Sequence, residues 1–465
     1  MIYLALLFIL FGFLAGFEDF YAVGVFSSLF AWCILYRNVY SKVGLFSLTS
    51  LFLLFFLLYG YSVPLSILFD LNIGEYRKNY IFEWDKVDST LMLFSLANNI
   101  ALLGIYLVWI WRQSLSLQWS SLLKLKQAVS VVRIERMFIV SLLLSFLFEL
   151  INFIRAGAYA KLFQGKLLYQ SSLADMGMLL PSELFFYIST ILLAWLVKIK
   201  YLKTRNVVYY FVFNFFYLSN NLIIGERGVL VNSLLMFLLV YFWDFSIKKI
   251  KSNTVFVLIS AYLVFVGLTV SRNFFDDKRN LFTVLNIINY TKSNKETFEF
   301  VLNPANSEFC TSALNFRVYS KENIGQNYEY GLTYLHVFTQ LLPRAINPFY
   351  SPSITIQFRD RYFKERGENG STGGTGYSSL MESYINFGLL GPFLIYGLVF
   401  GLLLYLENLR KINNTSISLV ILYALFFELV LLFNRSALEY IIVKLFTYFV
   451  VISFLLVISK IQIKR

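Results

Sequence analysis

The sequence predicts an all-α polytopic membrane protein of about twelve transmembrane helices, with one large polar loop between the ninth and the tenth. Three observations predict it. Hydrophobic residues make up 58% of the 465-residue chain and charged residues only 14%, against about 25% charged in soluble domains. The apolar residues fall into runs close to the length of a bilayer crossing, which takes about 20 residues. The basic residues cluster in alternate connections between those runs. Abundant Phe and Tyr suit helices that end in interfacial aromatic belts.

In chain order the predicted spans are 2–17, 20–36, 43–64, 91–111, 137–154, 183–199, 206–224, 228–247, 253–271, 381–406, 416–434 and 437–459. The first run has no basic n-region and no small-residue cleavage site before Glu18 and Asp19, so it reads as a retained span rather than a signal peptide. Arg37 and Lys42 follow the second span, and Arg112, Lys124, Lys126, Arg133 and Arg136 follow the fourth. Lys198 to Arg205, Lys248 to Lys251, Arg410–Lys411 and Lys460 to Arg465 continue the alternation. The connections between them are acidic, mixed or nearly uncharged; in 70–90 five carboxylates outnumber Arg77, Lys78 and Lys86, and the most basic is 155–182, with Arg155, Lys161 and Lys166 against Asp175. The positive-inside rule then places both termini in the cytoplasm and the loop outside. Residues 1–271 carry nine helices, 272–380 form the loop, and 381–465 carry the last three.

This placement restricts the chemistry. A net charge of +13 orients helices here, and no soluble basic domain or motif points to nucleic acid. Cys33 lies in a span and Cys310 in the loop, and there is no paired CxxC spacing for a metal. Neither a Walker-type GxxxxGK[ST] nor a strand-linked GxGxxG is present to cradle nucleotide phosphates. A reaction on the outer face therefore needs a substrate that brings its own energy, such as a lipid-linked phosphate ester. The other option is transport, with no covalent chemistry.

Candidate site residues gather on the predicted outer face. Gly225-Glu226-Arg227-Gly228 makes a tight turn between the seventh and eighth spans, where Arg227 either snorkels or meets an anion with its planar fork. Arg272 ends the ninth span at the same level and could join it in clamping a pyrophosphate. Within the loop, Tyr334 to Leu342 reads as a short amphipathic helix carrying His336, the one histidine, which is either a polar surface or core residue or a base. Pro343 and Pro348 then fix the backbone around Arg344. Arg359, Asp360 and Arg361 form a mixed charge run, either a solvated face or a guide for anionic groups. After the flexible run 370–376 comes Tyr377, one of several tyrosines able to stack on sugars. Glu382 follows at the outer end of the tenth span, with Asn386 one turn below it. A carboxylate entering the bilayer is a functional candidate by default, here as a general base or as the partner of one of the arginines.

The order of these motifs resembles the Wzy-type oligosaccharide repeat-unit polymerases of O-antigen and capsule pathways. The residues that carry the resemblance are the Gly225–Gly228 turn, Leu342-Pro343-Arg344-Ala345-Ile346-Asn347-Pro348, the run Gly374 to Ser379, and Glu382 to Gly391. The resemblance covers essentially the whole chain and implies a GT-C-like bundle related to the O-antigen ligases. It also implies a metal-independent, cofactor-free glycosyltransferase acting on undecaprenyl-pyrophosphate-linked glycans at the outer face of the cytoplasmic membrane. By position, Arg227, Arg344 and Glu382 take the family's functional places, with Arg272 a weaker match. One departure is that Pro-Arg continues here to Asn347-Pro348 and Ser351-Pro352 rather than to Trp-Pro and Lys-Pro. A flippase and a chain-length regulator of the same pathway are the implied partners. The rival readings are a ligase of the same fold, which carries a His-Asn pair where this chain has Tyr377-Ser378, and a transporter, which would show internal repeats.

Overall fold

The computed structural model describes residues 2–71, 87–114, 130–157, 180–223, 228–243, 303, 305, 308–323, 328–341, 347–348, 351–363, 377–412 and 416–458. Among these the regular structure is helical throughout. The long helices follow the apolar runs: α1 (Ile2–Gly12), α2 (Tyr21–Val43), α3 (Leu48–Leu68), α4 (Ser89–Ser114), α5 (Val131–Arg155), α6 (Ser182–Lys198), α7 (Thr204–Ile223) and α8 (Gly228–Tyr241). The loop region contributes α9 (Thr311–Asn323) and α10 (Ile354–Tyr362), and the chain closes with α11 (Ser379–Phe387), α12 (Leu390–Ile412), α13 (Ile417–Phe433) and α14 (Leu438–Ile458). The predicted ninth span, 253–271, lies outside the described residues.

Among the described residues six helices are long and apolar enough to cross a membrane: Glu18–Val43, Leu48–Leu68, Ser89–Arg112, Val131–Arg155, Leu390–Ile412 and Leu438–Ile458. Others that match predicted spans are shorter, such as α8 with 14 residues and α13 with 17. Helix α13 is apolar on every side and almost wholly buried, as expected of a helix surrounded by others. It packs on α3, α6, α8 and α14. Helix α12 lies along α4, where a Cβ on Gly104 would meet the Phe393 carbonyl at 2.2 Å. Only glycine permits that approach of two backbones.

The predicted tenth span, 381–406, is not one helix. Its chain breaks at Gly388, which takes φ +58°, a backbone angle open mainly to glycine. At Gly391 an added Cβ would sit 1.8 Å from the Ser383 carbonyl, so α11 and α12 fold tightly against each other at this corner. Glu382 and Asn386 thus stand on a separate short helix ahead of the span Leu390–Ile412.

The predicted amphipathic helix from Tyr334 to Leu342 also differs. A single α turn, Leu332–Leu335, tightens into a 3-10 turn, His336–Thr339. Elsewhere in the loop region, α9 packs on α3, α4 and α11. Its Phe316 meets Phe94 and Tyr384 at centroid distances of 5.6 and 5.1 Å. Arg317 is buried and pairs with Asp88 at 2.9 Å. The described part of the predicted loop is therefore docked on the helical bundle.

Candidate active site at the head of α14

The site begins with the way α11 is fastened. Ser378 caps the helix by accepting a hydrogen bond from the Met381 amide, the usual role of serine at this position. The Tyr377 amide donates to the Arg435 carbonyl at 2.9 Å, and the Ser379 hydroxyl to the Ser436 carbonyl at 3.1 Å. These bonds lay α11 against the turn between α13 and α14.

One turn into α11, Glu382 faces the start of α14. Its Oε2 accepts from the Leu438 amide at 2.7 Å, one of the first N–H groups of α14, which have no partner within their own helix. Its Oε1 accepts from the Thr333 hydroxyl at 3.1 Å. Asn386, a turn further on, donates to Thr333 Oγ1 at 2.6 Å and to the Glu382 carbonyl at 2.8 Å. Its own Oδ1 accepts from the Gly331 amide at 2.9 Å. Backbone bonds from Glu329 to the Ile385 carbonyl and from Tyr330 to the Asn386 carbonyl complete the attachment. Glu382 is 0% exposed. Burial pushes its carboxyl up to about 8; the Leu438 amide and Thr333 hydroxyl oppose the shift, and the nearby Glu439 carboxylate adds to it.

Three residues beyond Thr333, His336 reaches the same helix start. Its Nδ1 is hydrogen-bonded to Glu439 Oε2, and its Nε2 lies 2.6 Å from the Ser351 hydroxyl. The other oxygen of Glu439 accepts from the Ile354 amide at 2.7 Å, the first residue of α10. Two buried glutamates are thus set side by side, each accepting from a first-turn amide of a helix. A carboxylate suits that position because the aligned peptide dipoles leave positive charge there.

The structure brings Glu382, Asn386 and His336 together. Tyr377 stands beside them as a wall: it is 2% exposed and meets Phe358 edge-on at 5.3 Å, leaving its ring no open face for a sugar. Arg359 pairs with its neighbour Asp360 at 2.7 Å, and Arg361 lies over the Tyr362 ring at 5.2 Å. Arg227, Arg272 and Arg344 lie outside the described residues. The described residues on either side of the stretch around Arg344 are Leu341, which donates its amide to the Val337 carbonyl, and Asn347, which donates its side chain to the Thr339 carbonyl. Among the described residues no group of three or more His, Cys, Asp or Glu side chains is placed to hold a metal.

Sequence reasoning missed Thr333, Ser351 and Glu439. A signal existed for Glu439, which is an acidic residue in the first turn of an apolar span, the same feature that singled out Glu382. For the two hydroxyl residues there was none.

The family described as O-antigen polysaccharide polymerase Wzy matches residues 1–465. The chain belongs to that family. No curated protein and no solved structure matches it. Membership connects the chain with polymerisation of O-antigen repeat units, a glycosyl transfer, and with lipid-linked oligosaccharide substrates in a membrane.

Proposed function

We propose that the protein joins undecaprenyl-pyrophosphate-linked oligosaccharide repeat units into O-antigen or capsular polysaccharide at the outer face of the cytoplasmic membrane. The observation that carries this reading is the family match over residues 1–465; the polar cluster at the head of α14 supports it as a place suited to proton transfer. The alternating basic connections support an outer position for it and a cytoplasmic position for both termini. Twelve crossings, with 272–380 as the outer loop, fit that alternation.

The growing glycan leaves its own lipid pyrophosphate and passes to a hydroxyl of the next repeat unit. One displacement at the anomeric carbon inverts its configuration. Pyrophosphate is a competent leaving group once its developing charge is met, so neither metal nor nucleotide is needed. Arg227 and Arg344, with Arg272 in support, supply fixed cations for that charge. Asn386 holds the strap that carries Thr333 and His336, while Arg359 and Arg361 guide anionic substrate toward the site. A flippase delivers the repeat units and a chain-length regulator acts on the product.

The experiment is a glycan profile of a deletion strain carrying each variant. Arg227→Ala and Arg344→Ala should abolish long chains and leave single repeat units attached. Normal ladders at normal protein levels would remove that arginine from the mechanism, whereas loss of all attachment would indicate a ligase or flippase.

A further inference from the structure

We propose, building on the polymerase reading, that His336 is the catalytic base of the transfer, that Glu439 is its positioning residue, and that Glu382 frames the site rather than taking the acceptor's proton. Geometry separates the two candidate bases. Glu382 is closed off at 0% exposure, and each of its oxygens already accepts a hydrogen bond from the protein. The His336 side chain is 15% exposed. Its Nε2 faces three polar groups: the Ser351 hydroxyl at 2.6 Å, the exposed Gln357 amide nitrogen at 3.2 Å and the Thr339 hydroxyl at 3.4 Å. The Glu439 carboxylate can only accept, which places a ring proton on Nδ1, and the Gln357 amide nitrogen can only donate, which leaves Nε2 as the acceptor. The imidazole is therefore in the tautomer a base requires. Ser351 occupies the position from which a sugar hydroxyl would donate.

Burial supports the division. Glu382, with its carboxyl pushed up to about 8, holds its proton over most of the neutral range. A protonated carboxyl still bridges Thr333 and the Leu438 amide, and so still fixes the strap that presents His336 three residues on.

The step balances without a co-reactant. The acceptor oxygen forms its bond to the anomeric carbon as its proton passes to His336 Nε2. The bond from that carbon to the pyrophosphate oxygen breaks, and its electron pair leaves with the pyrophosphate. The imidazolium is held against the Glu439 carboxylate until it returns the proton to water. Glu439 also accepts the Ile354 amide, so it is fixed at both oxygens and the ring cannot swing.

The test uses the full-length protein in vesicles with lipid-linked repeat units. His336→Ala should lower kcat by about a hundredfold or more, the usual worth of a general base, with KM little changed. Added imidazole should restore part of the rate. Glu439→Gln should lower kcat as well, with partial recovery in Glu439→Asp, and Glu382→Gln should keep far more activity than His336→Ala. A His336→Ala protein that polymerises at nearly the normal rate would overturn the proposal. So would a folded, inactive His336→Ala protein that imidazole leaves inactive, or a glycan found covalently attached to Ser351. A wild-type protein that extends no lipid-linked repeat unit would instead sink the polymerase reading itself.

Discussion

Glu428 and Glu382 are both buried carboxylates of the helical bundle, and their partners differ in kind. Glu428, on α13, is bonded to the Lys444 ammonium and the Tyr448 hydroxyl, both on α14. Glu407 shows the same habit, with Arg410 at 3.2 Å, the Tyr423 hydroxyl and the Leu48 amide. So does Glu135, which meets Lys203 and Arg205. Glu382 instead accepts from a hydroxyl and a backbone amide, and among the described residues no ion pair reaches it. A buried carboxylate with its own cation is a staple between helices. One held by neutral donors can keep its proton without stranding a partner charge.

The strongest way to break this comparison is at Lys444. Lys444→Met removes the cation and leaves the Glu428 carboxylate buried, which typically costs ~3–5 kcal/mol. Unfolding of the detergent-solubilised protein should shift to markedly lower temperature. Replacing both partners, Glu428→Leu with Lys444→Leu, should recover most of that loss, because well-packed apolar residues often substitute for a buried pair without penalty. A harmless single change would mean that the pair is not a staple and that the contrast with Glu382 is false.

The next effect belongs to Glu382 and has the opposite sense. Its folded carboxyl titrates near 8, whereas the ordinary value is 4.5. Between those limits the unfolded chain has released a proton that the folded chain still holds. The folded state therefore loses stability as pH rises through this window and has its full contribution below it. Glu382→Gln mimics the protonated form and should flatten this part of the profile, melting above the wild type at pH 8 and close to it near pH 4.5. A wild type and variant with parallel profiles would show that Glu382 is ionised in the fold, and would return it to the role of base.

How much of this could be read from the sequence follows from the range of each interaction. Helix positions were legible because burial in an apolar medium imposes long, unbroken apolar runs. α13 and α14 fall within a few residues of the predicted 416–434 and 437–459. The break at Gly388 was not legible, because a glycine pair in an apolar run reads equally well as close packing, and only the Ser383 carbonyl lying against Gly391 decides it. In the candidate site, Glu382, Asn386 and His336 stood out as polar or ionisable groups in unusual settings. Their mutual arrangement did not, since Thr333, Glu382 and Glu439 come from three separate stretches of chain. The pairing of His336 with Glu439 spans 103 positions, beyond any local pattern.

The smallest expected effect sharpens the comparison from its far side. Arg359 and Asp360 are also an ion pair, but they are neighbours in sequence and Asp360 is 52% exposed. Solvent reaches the pair from the Asp360 side, while the Arg359 side chain is only 12% exposed; pairs open to water contribute about 0–1 kcal/mol. Arg359→Ala should therefore lower the melting temperature less than Lys444→Met does. If Arg359 guides anionic substrate, the variant should raise KM modestly at low salt and not at high salt, with kcat preserved, because long-range steering is lost as ions screen it. A fall in kcat would instead place Arg359 against the reacting groups. A buried staple, a proton-holding frame and a substrate guide would each move a different measured quantity, and the quantity that moves identifies which one a residue performs.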